Sequence, residues 1–209
     1  MTRRLTATLA TLTISACLMC CAGGTRFPAY YTLHVPPAVD VPNAAAGRPS
    51  LAVREFHSPE YLRQGAIVYR TSPEQVGFYQ YHRWAVDPRE FVTNAIINRL
   101  RATGRFGAVS AYDGRSDVDF ILSGRLEKLE EVDYGGGVRV EVALSAEITE
   151  PRAGKTVWAS ATSESAQVEK RNVPAVVADM SQAMDRAIQT LLASITVSTT
   201  SSLNPSLQK

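Results

Sequence analysis

Past Cys21 this sequence has no cysteine; its only three are Cys17, Cys20 and Cys21. A body without cysteine holds no disulfide and offers no thiol nucleophile, even where export would permit disulfides. Histidine is equally scarce. His34, His57 and His82 are scattered over loops and strands with no second ligand at zinc spacing, so they read as surface or strand histidines and no metal is expected. There is no Gly-x-Ser-x-Gly elbow. No apolar run reaches the ~20 residues of a membrane-spanning helix. An excess of one charge is missing too. Lys+Arg number 22 against 20 Asp+Glu, and Arg3 and Arg4 at the start account for the difference. A neutral body without a basic run has no bulk electrostatic reason to bind nucleic acid.

What is present begins at the N-terminus. Met1-Thr2-Arg3-Arg4 is positively charged, and Leu5 to Thr13 carries neither charge nor proline, as the apolar segment of an export signal does. Ile14-Ser15-Ala16-Cys17 follows: a branched apolar residue, two small residues and a thiol. Small residues fit the cleavage pocket of lipoprotein signal peptidase, and the cysteine sulfur takes the diacylglyceryl group. The chain reads as a bacterial lipoprotein with Cys17 lipidated. Cys21 is the alternative, giving a longer apolar segment but a cysteine where a small residue is usual. The expected division is a signal at 1–16, a lipidated tether at 17–29, one domain at 30–195 and a Ser/Thr-rich disordered tail at 196–209.

Within the domain, Tyr30 to Val35 and Ser50 to Phe56 alternate as strands, separated by a loop with four prolines between Pro36 and Pro49. Ala66–Thr71 and Gln75–Trp84 form a hairpin across Ser72-Pro73-Glu74. Asp87-Pro88-Arg89-Glu90 starts a helix whose apolar stripe is Phe91, Ala95, Ile96 and Leu100, ending at Gly104. Val118, Phe120 and Leu122 alternate next. Val138, Val140, Val142, Leu144, Ala146 and Ile148 then alternate with polar residues, which buries one face of a strand and wets the other. A strand around Val157 to Ala161 follows the turn at Pro151–Gly154. Pro174 opens a second helix with Val177, Met180, Met184, Ala187, Ile188, Leu191 and Ile195 on one side. The predicted fold class is α+β, a mainly antiparallel sheet with two amphipathic helices packed on one face.

Candidate chemistry is sparse. Asp113 to Asp119 has a misplaced glycine and an internal arginine for a calcium loop, and reads as a turn. Gly135-Gly136-Gly137 precedes a strand rather than a helix, so it is a hairpin turn and not a phosphate cradle. Glu127, Glu130 and Glu131 read as a solvated strand end rather than as paired acid and base. No catalytic residue, and no enzyme, is expected. The aromatic run Phe78-Tyr79-Gln80-Tyr81-His82-Arg83-Trp84 is different. Strict alternation puts Phe78, Gln80, His82 and Trp84 on one face and Tyr79, Tyr81 and Arg83 on the other. The plain reading is one buried face with tyrosines decorating the other. The functional one is a protein–protein surface drawn from Tyr69, Arg70, Tyr79, Tyr81, Arg83 and Trp84, since Tyr, Trp and Arg give large contact area with polar tips.

An ordered set of short motifs spans almost the whole domain: Tyr30-Tyr31-Thr32-Leu33, Ile67-Val68-Tyr69-Arg70, Tyr79-x-Tyr81-x-x-Trp84, Leu100 with Gly104-Arg105-Phe106, Asp119-x-x-Leu122-x-Gly124 and the Gly154 turn. With the N-terminal cysteine signature, this set resembles the ABC-type transport auxiliary lipoprotein family, which includes the paraquat-inducible lipoprotein C component. The Pro36–Pro49 loop matches no family motif. The resemblance implies a periplasm-facing accessory of an ABC-type lipid or organic-solute transport system, associated with mammalian-cell-entry (MCE) type proteins. It implies a fold similar to the N-terminal domain of the Tol propeller protein, with MCE-type or ABC transporter subunits as partners and homo-oligomers allowed. Neither Leu18 nor Ala22 is the aspartate that retains lipoproteins at the inner membrane, so the anchor is expected in the outer one. A lipid- or ligand-binding module with an apolar cavity, and a lipoprotein of an outer-membrane assembly machine, are the alternatives.

Overall fold

A computed structural model describes residues 26–37, 47–114 and 117–196. Cys17, Cys21, the centre of the proline-rich loop and the tail beyond 196 lie outside them. In chain order the elements are β1 (Ala29–Tyr31), β2 (Ser50–Val53), a 3-10 turn (Glu60–Arg63), β3 (Ala66–Arg70) and β4 (Val76–Trp84). Then come α1 (Pro88–Thr103), β5 (Ala108–Ala111), β6 (Phe120–Asp133), β7 (Val138–Glu150), β8 (Lys155–Gln167) and α2 (Val173–Ala193).

The α+β class expected from the pattern is borne out. Among the described residues the eight strands form one mixed sheet. Its long ladders, β6 with β7 and β7 with β8, are antiparallel, as is the β3/β4 hairpin. Short parallel pairings join β1 to β4, β2 to β5, and both β2 and β3 to the free edge of β6. One core lies between the sheet and both helices, containing Val92, Ile96 and Leu100 of α1, Met180, Met184 and Ile188 of α2, and Leu122, Leu129, Val140 and Leu144 of the sheet.

The β7 alternation holds residue by residue, with Val138, Val140, Val142, Leu144, Ala146 and Ile148 all buried. On α2 the whole expected stripe from Val177 to Ile195 is buried as well. Asn172 caps that helix, its Oδ1 accepting from Ala175 N at 3.0 Å. At the start of α1, Asp87 accepts from Arg89 N at 2.9 Å, and the helix ends at Gly104 with a φ of 60°, the left-handed conformation that glycine takes without strain. The α1 stripe is turned slightly from expectation: Val92, Ile96, Ile97 and Leu100 are buried, and Phe91 and Ala95 sit at its border. Strands β1 and β2 are shorter than their alternating sequences, and β8 is much longer. Its Ser/Ala/Thr sequence has weak apolar alternation, but it pairs with β7 from Lys155 to Gln167.

Candidate functional site

Two irregularities in the sheet decide where the candidate side chains point. On β4, Phe78 and Arg83 lie opposite Val68 and Ala66, two residues of equal phase on β3. They are five residues apart where their partners are two apart, so β4 carries three extra residues between them, an odd number that shifts its alternation. That insertion overturns strict alternation of the aromatic run. Tyr79 and Trp84 both face the helices, with His82 edge-on to Tyr79 at 5.7 Å. Phe78 and Arg83 face away.

On β6 the ladder shifts between Leu126 and Lys128. Ahead of the shift Leu122 and Leu126 face the helices; after it Leu129 and Glu131 do, opposite Val142 and Val140. Glu130 is thereby turned to the opposite face. The solvated strand end expected for these acids is corrected. Glu130 is 1% exposed and Glu131 is 7% exposed. Each has its own partner. Glu130 accepts from Arg70 Nε at 2.8 Å, and the Arg70 guanidinium lies 5.5 Å from the Tyr61 ring centre. Glu131 accepts from the Tyr79 hydroxyl at 2.8 Å. Burial raises the Glu131 pKa and outweighs the opposing hydrogen bond from Tyr79. The Tyr79 phenol is pushed up by burial and then by its bond to Glu131. Glu127 instead accepts from Ser145 Oγ at 2.8 Å. Two buried acids on opposite faces of one strand cannot act on one substrate as an acid–base pair.

Of the six surface candidates, the structure turns three inward. Trp84 is buried in the core. Tyr79 is half-buried over Glu131, and Tyr69 packs on Tyr79 at 5.1 Å while lying across Gly77. Arg70 is held by Glu130 and by Pro73 O, to which its Nη1 donates at 2.9 Å. Tyr81 and Arg83 remain accessible. The Arg26 guanidinium lies 5.3 Å from the Tyr81 ring centre. Around them stand residues the alternation did not single out: Tyr30, opposite Arg83 on β1, and Phe27, Phe78 and Val86. Four large hydrophobics with substantial exposure thus collect at one edge of the sheet. Tyr31 points inward beside them, its hydroxyl 2.9 Å from His82 Nδ1.

A second feature is a groove of about 490 Å3 between the C-terminal ends of the helices, bordered by Pro36, Pro37, Arg99, Arg105, Asp185 and Leu192. An Arg99–Asp185 ion pair crosses it. Any ligand seated there would lie beside that ion pair as well as Pro36, Pro37 and Leu192.

A family model described as the ABC-type transport auxiliary lipoprotein component matches residues 31–192. The chain belongs to the ABC-type transport auxiliary lipoprotein family. No curated protein matches the sequence. A crystallised protein from Xanthomonas campestris shares the fold with a TM-score of 0.67 and 16% identity, over 78% of this chain and 92% of that one. A second crystal structure, of an uncharacterized protein, gives a TM-score of 0.64 and 17% identity, over 81% of this chain and 99% of that one. A PelC dodecamer from Paraburkholderia phytofirmans, 16% identical over 74% of this chain and 94% of that one, has a TM-score of 0.46, too loose a likeness to bear on assembly.

In this auxiliary lipoprotein the motif residues hold the fold. A Cβ on Gly124 would come within 2.3 Å of the Phe56 ring, which is fully buried. Asp119 accepts from both N and Oγ of Ser50 at 2.8 Å, fastening β2 to the start of β6; those bonds lower its pKa. Arg105 Nη1 donates to Ile195 O at 3.1 Å and Trp158 Nε1 to Ser194 O at 2.9 Å, which satisfies carbonyls left open at the end of α2. Isolated sequence position gave no sign of these partners, which are 69, 90 and 36 residues away along the chain.

Proposed function

We propose that this protein is a non-enzymatic lipoprotein, anchored through Cys17 at the outer membrane and facing the periplasm, that serves an MCE-type or ABC-type lipid or organic-solute transport system by protein–protein docking. The family match over residues 31–192 carries this reading, together with the Ile14–Cys17 signature ahead of it. The docking strip is Tyr30, Tyr81, Arg83 and Val86, the accessible aromatic, cationic and apolar side chains beside β1. An acyl anchor concentrates such a strip beside its partner, so a modest contact area suffices. Charge reversal at Arg83 should act on docking without touching the core. In native membranes, Arg83→Glu and Tyr81→Ala should melt within a few degrees of wild type but lose about tenfold or more in co-purification with transporter subunits. Unchanged co-purification of both variants would remove this strip from the account.

A further inference from the structure

We infer that the end of the sheet carrying Phe27 and Phe78 rests on the phospholipid headgroups of the membrane that holds the N-terminal anchor. The inference builds on the lipoprotein reading above. Strand β1 runs parallel to β4 with Ala29 opposite His82, so the residues before Ala29 lead back toward the Phe78 end of β4. The Arg26 guanidinium beside the Tyr81 ring confirms that direction. Arg26 lies only nine residues after Cys17 and five after Cys21. Fully extended, these reach about 30 Å and about 17 Å at ~3.4 Å per residue. The thirteen residues of β7 alone extend over ~43 Å, so the tether is shorter than the sheet is long. The end where the chain emerges is therefore held close to the bilayer.

That same end gathers the β3–β4 turn at 71–75, the glycine turn between β6 and β7, and the segment 168–172 after β8. Arg70 lies opposite Val132, and Arg139 lies opposite Gln167. Arg171 reaches to within 3.8 Å of Asp133. Phe27 is 81% exposed and Phe78 is 37% exposed there, with Tyr134 half-buried beside the Arg139 guanidinium. Aromatic rings near the acyl anchor are what the boundary between headgroups and hydrocarbon accepts. The cations at this end, Arg26, Arg70, Arg139, Lys170 and Arg171, are matched by Glu74, Glu130, Asp133, Glu141 and Glu169, so the surface is neutral and its seat needs no anionic lipid. With this end on the membrane, Tyr30, Arg83 and Val86 stand farther along the strands, where a protein partner can reach them.

The test uses the full, processed protein extracted from native envelopes and reconstituted in zwitterionic vesicles containing brominated phospholipid. Phe27→Trp, Phe78→Trp and, at the opposite end in the β7–β8 turn, Ala153→Trp are compared with wild type, whose Trp84 and Trp158 are buried. Intact mass of each sample reports the acyl chains separately. The expected result is at least about twofold stronger quenching of the added signal at positions 27 and 78 than at 153, unchanged by salt or by anionic lipid. Acylated, vesicle-bound protein with equal quenching at all three positions overturns the membrane seat and leaves the lipoprotein reading standing. Dimer cross-links through positions 27 and 78, without quenching, overturn it in favour of a second copy. Protein that lacks acyl chains and stays out of the vesicles overturns both.

Discussion

The two halves of the sheet obey different rules. From β6 through β8 the strands are long, antiparallel and in register over most of their length, and β7 and β8 pack on α2. From β1 through β4 the pairings are short and partly parallel, and three extra residues on β4 interrupt its ladder with β3. The first half has its polar side chains outside, in surface ion pairs such as Lys128–Glu141 and Arg139–Glu141. At the seam with the second half, two carboxylates and a guanidinium sit inside. A regular half provides the rigid platform, and the irregular half presents the aromatic edge. On β4 the irregularity goes together with exposed apolar and aromatic side chains.

The largest predicted effect lies at the seam. Arg70→Ala leaves Glu130 buried without its cation and should cost about 3–5 kcal/mol in thermal or urea unfolding. Replacing both Arg70 and Glu130 with methionine should recover most of that loss. If the double variant is as unstable as the single one, unpaired charge is not the cause. Next come two glycines, one in each half. Gly124→Ala forces a methyl group against Phe56, which has no room to yield, and should cost about 2–3 kcal/mol. At Gly77 the obstacle is the tip of Tyr69, a side chain partly open to solvent that can swing aside, so Gly77→Ala should cost less than about 1 kcal/mol. Equal costs would mean that the two halves are equally tightly packed.

The smallest effect is a matter of sign. Glu131 has a raised pKa, so its ionisation opposes folding. The penalty is absent below the unfolded value, grows as pH rises through the folded value and persists above it. Glu131→Gln should therefore stabilise the protein at neutral pH and flatten its stability curve across that range, read as melting temperature against pH. Asp119, whose pKa is lowered, behaves oppositely: its contribution is present above the unfolded value and fades as acid reaches the folded one. Asp119→Asn should weaken the neutral protein slightly and the acid-treated protein hardly at all.

Much of this architecture could be read from the sequence, for reasons visible at particular residues. Val138 to Ile148 and Val177 to Ile195 keep one period without a fault, and Asp87, Asn172, Gly104 and Gly135–Gly137 end their elements by local chemistry. The failures share a cause. One extra residue near Leu126 and three on β4 reverse the faces of everything that follows, and nothing in composition marks an inserted residue. That is why Glu130 and Glu131 look solvated in sequence, and why Tyr79 and His82 are assigned to opposite faces. Partnerships such as Asp119 with Ser50, or Arg105 with Ile195, depend on tertiary closure and leave no local trace. For the proposed docking edge, the aromatic run in the sequence points to β4. Only the register separates accessible Tyr81 and Arg83 from inward-facing Tyr69, Tyr79 and Trp84.

Everything proposed about location and partners depends on acylation at the N-terminus. Growth of cells in radioactive palmitate, with wild type, Cys17→Ala and Cys21→Ala compared on one gel, tests it most directly. Acylation at Cys17 predicts a labelled, processed band for wild type and for Cys21→Ala, and an unlabelled, unprocessed precursor for Cys17→Ala. An unlabelled wild-type protein, recovered free of the envelope, would contradict it.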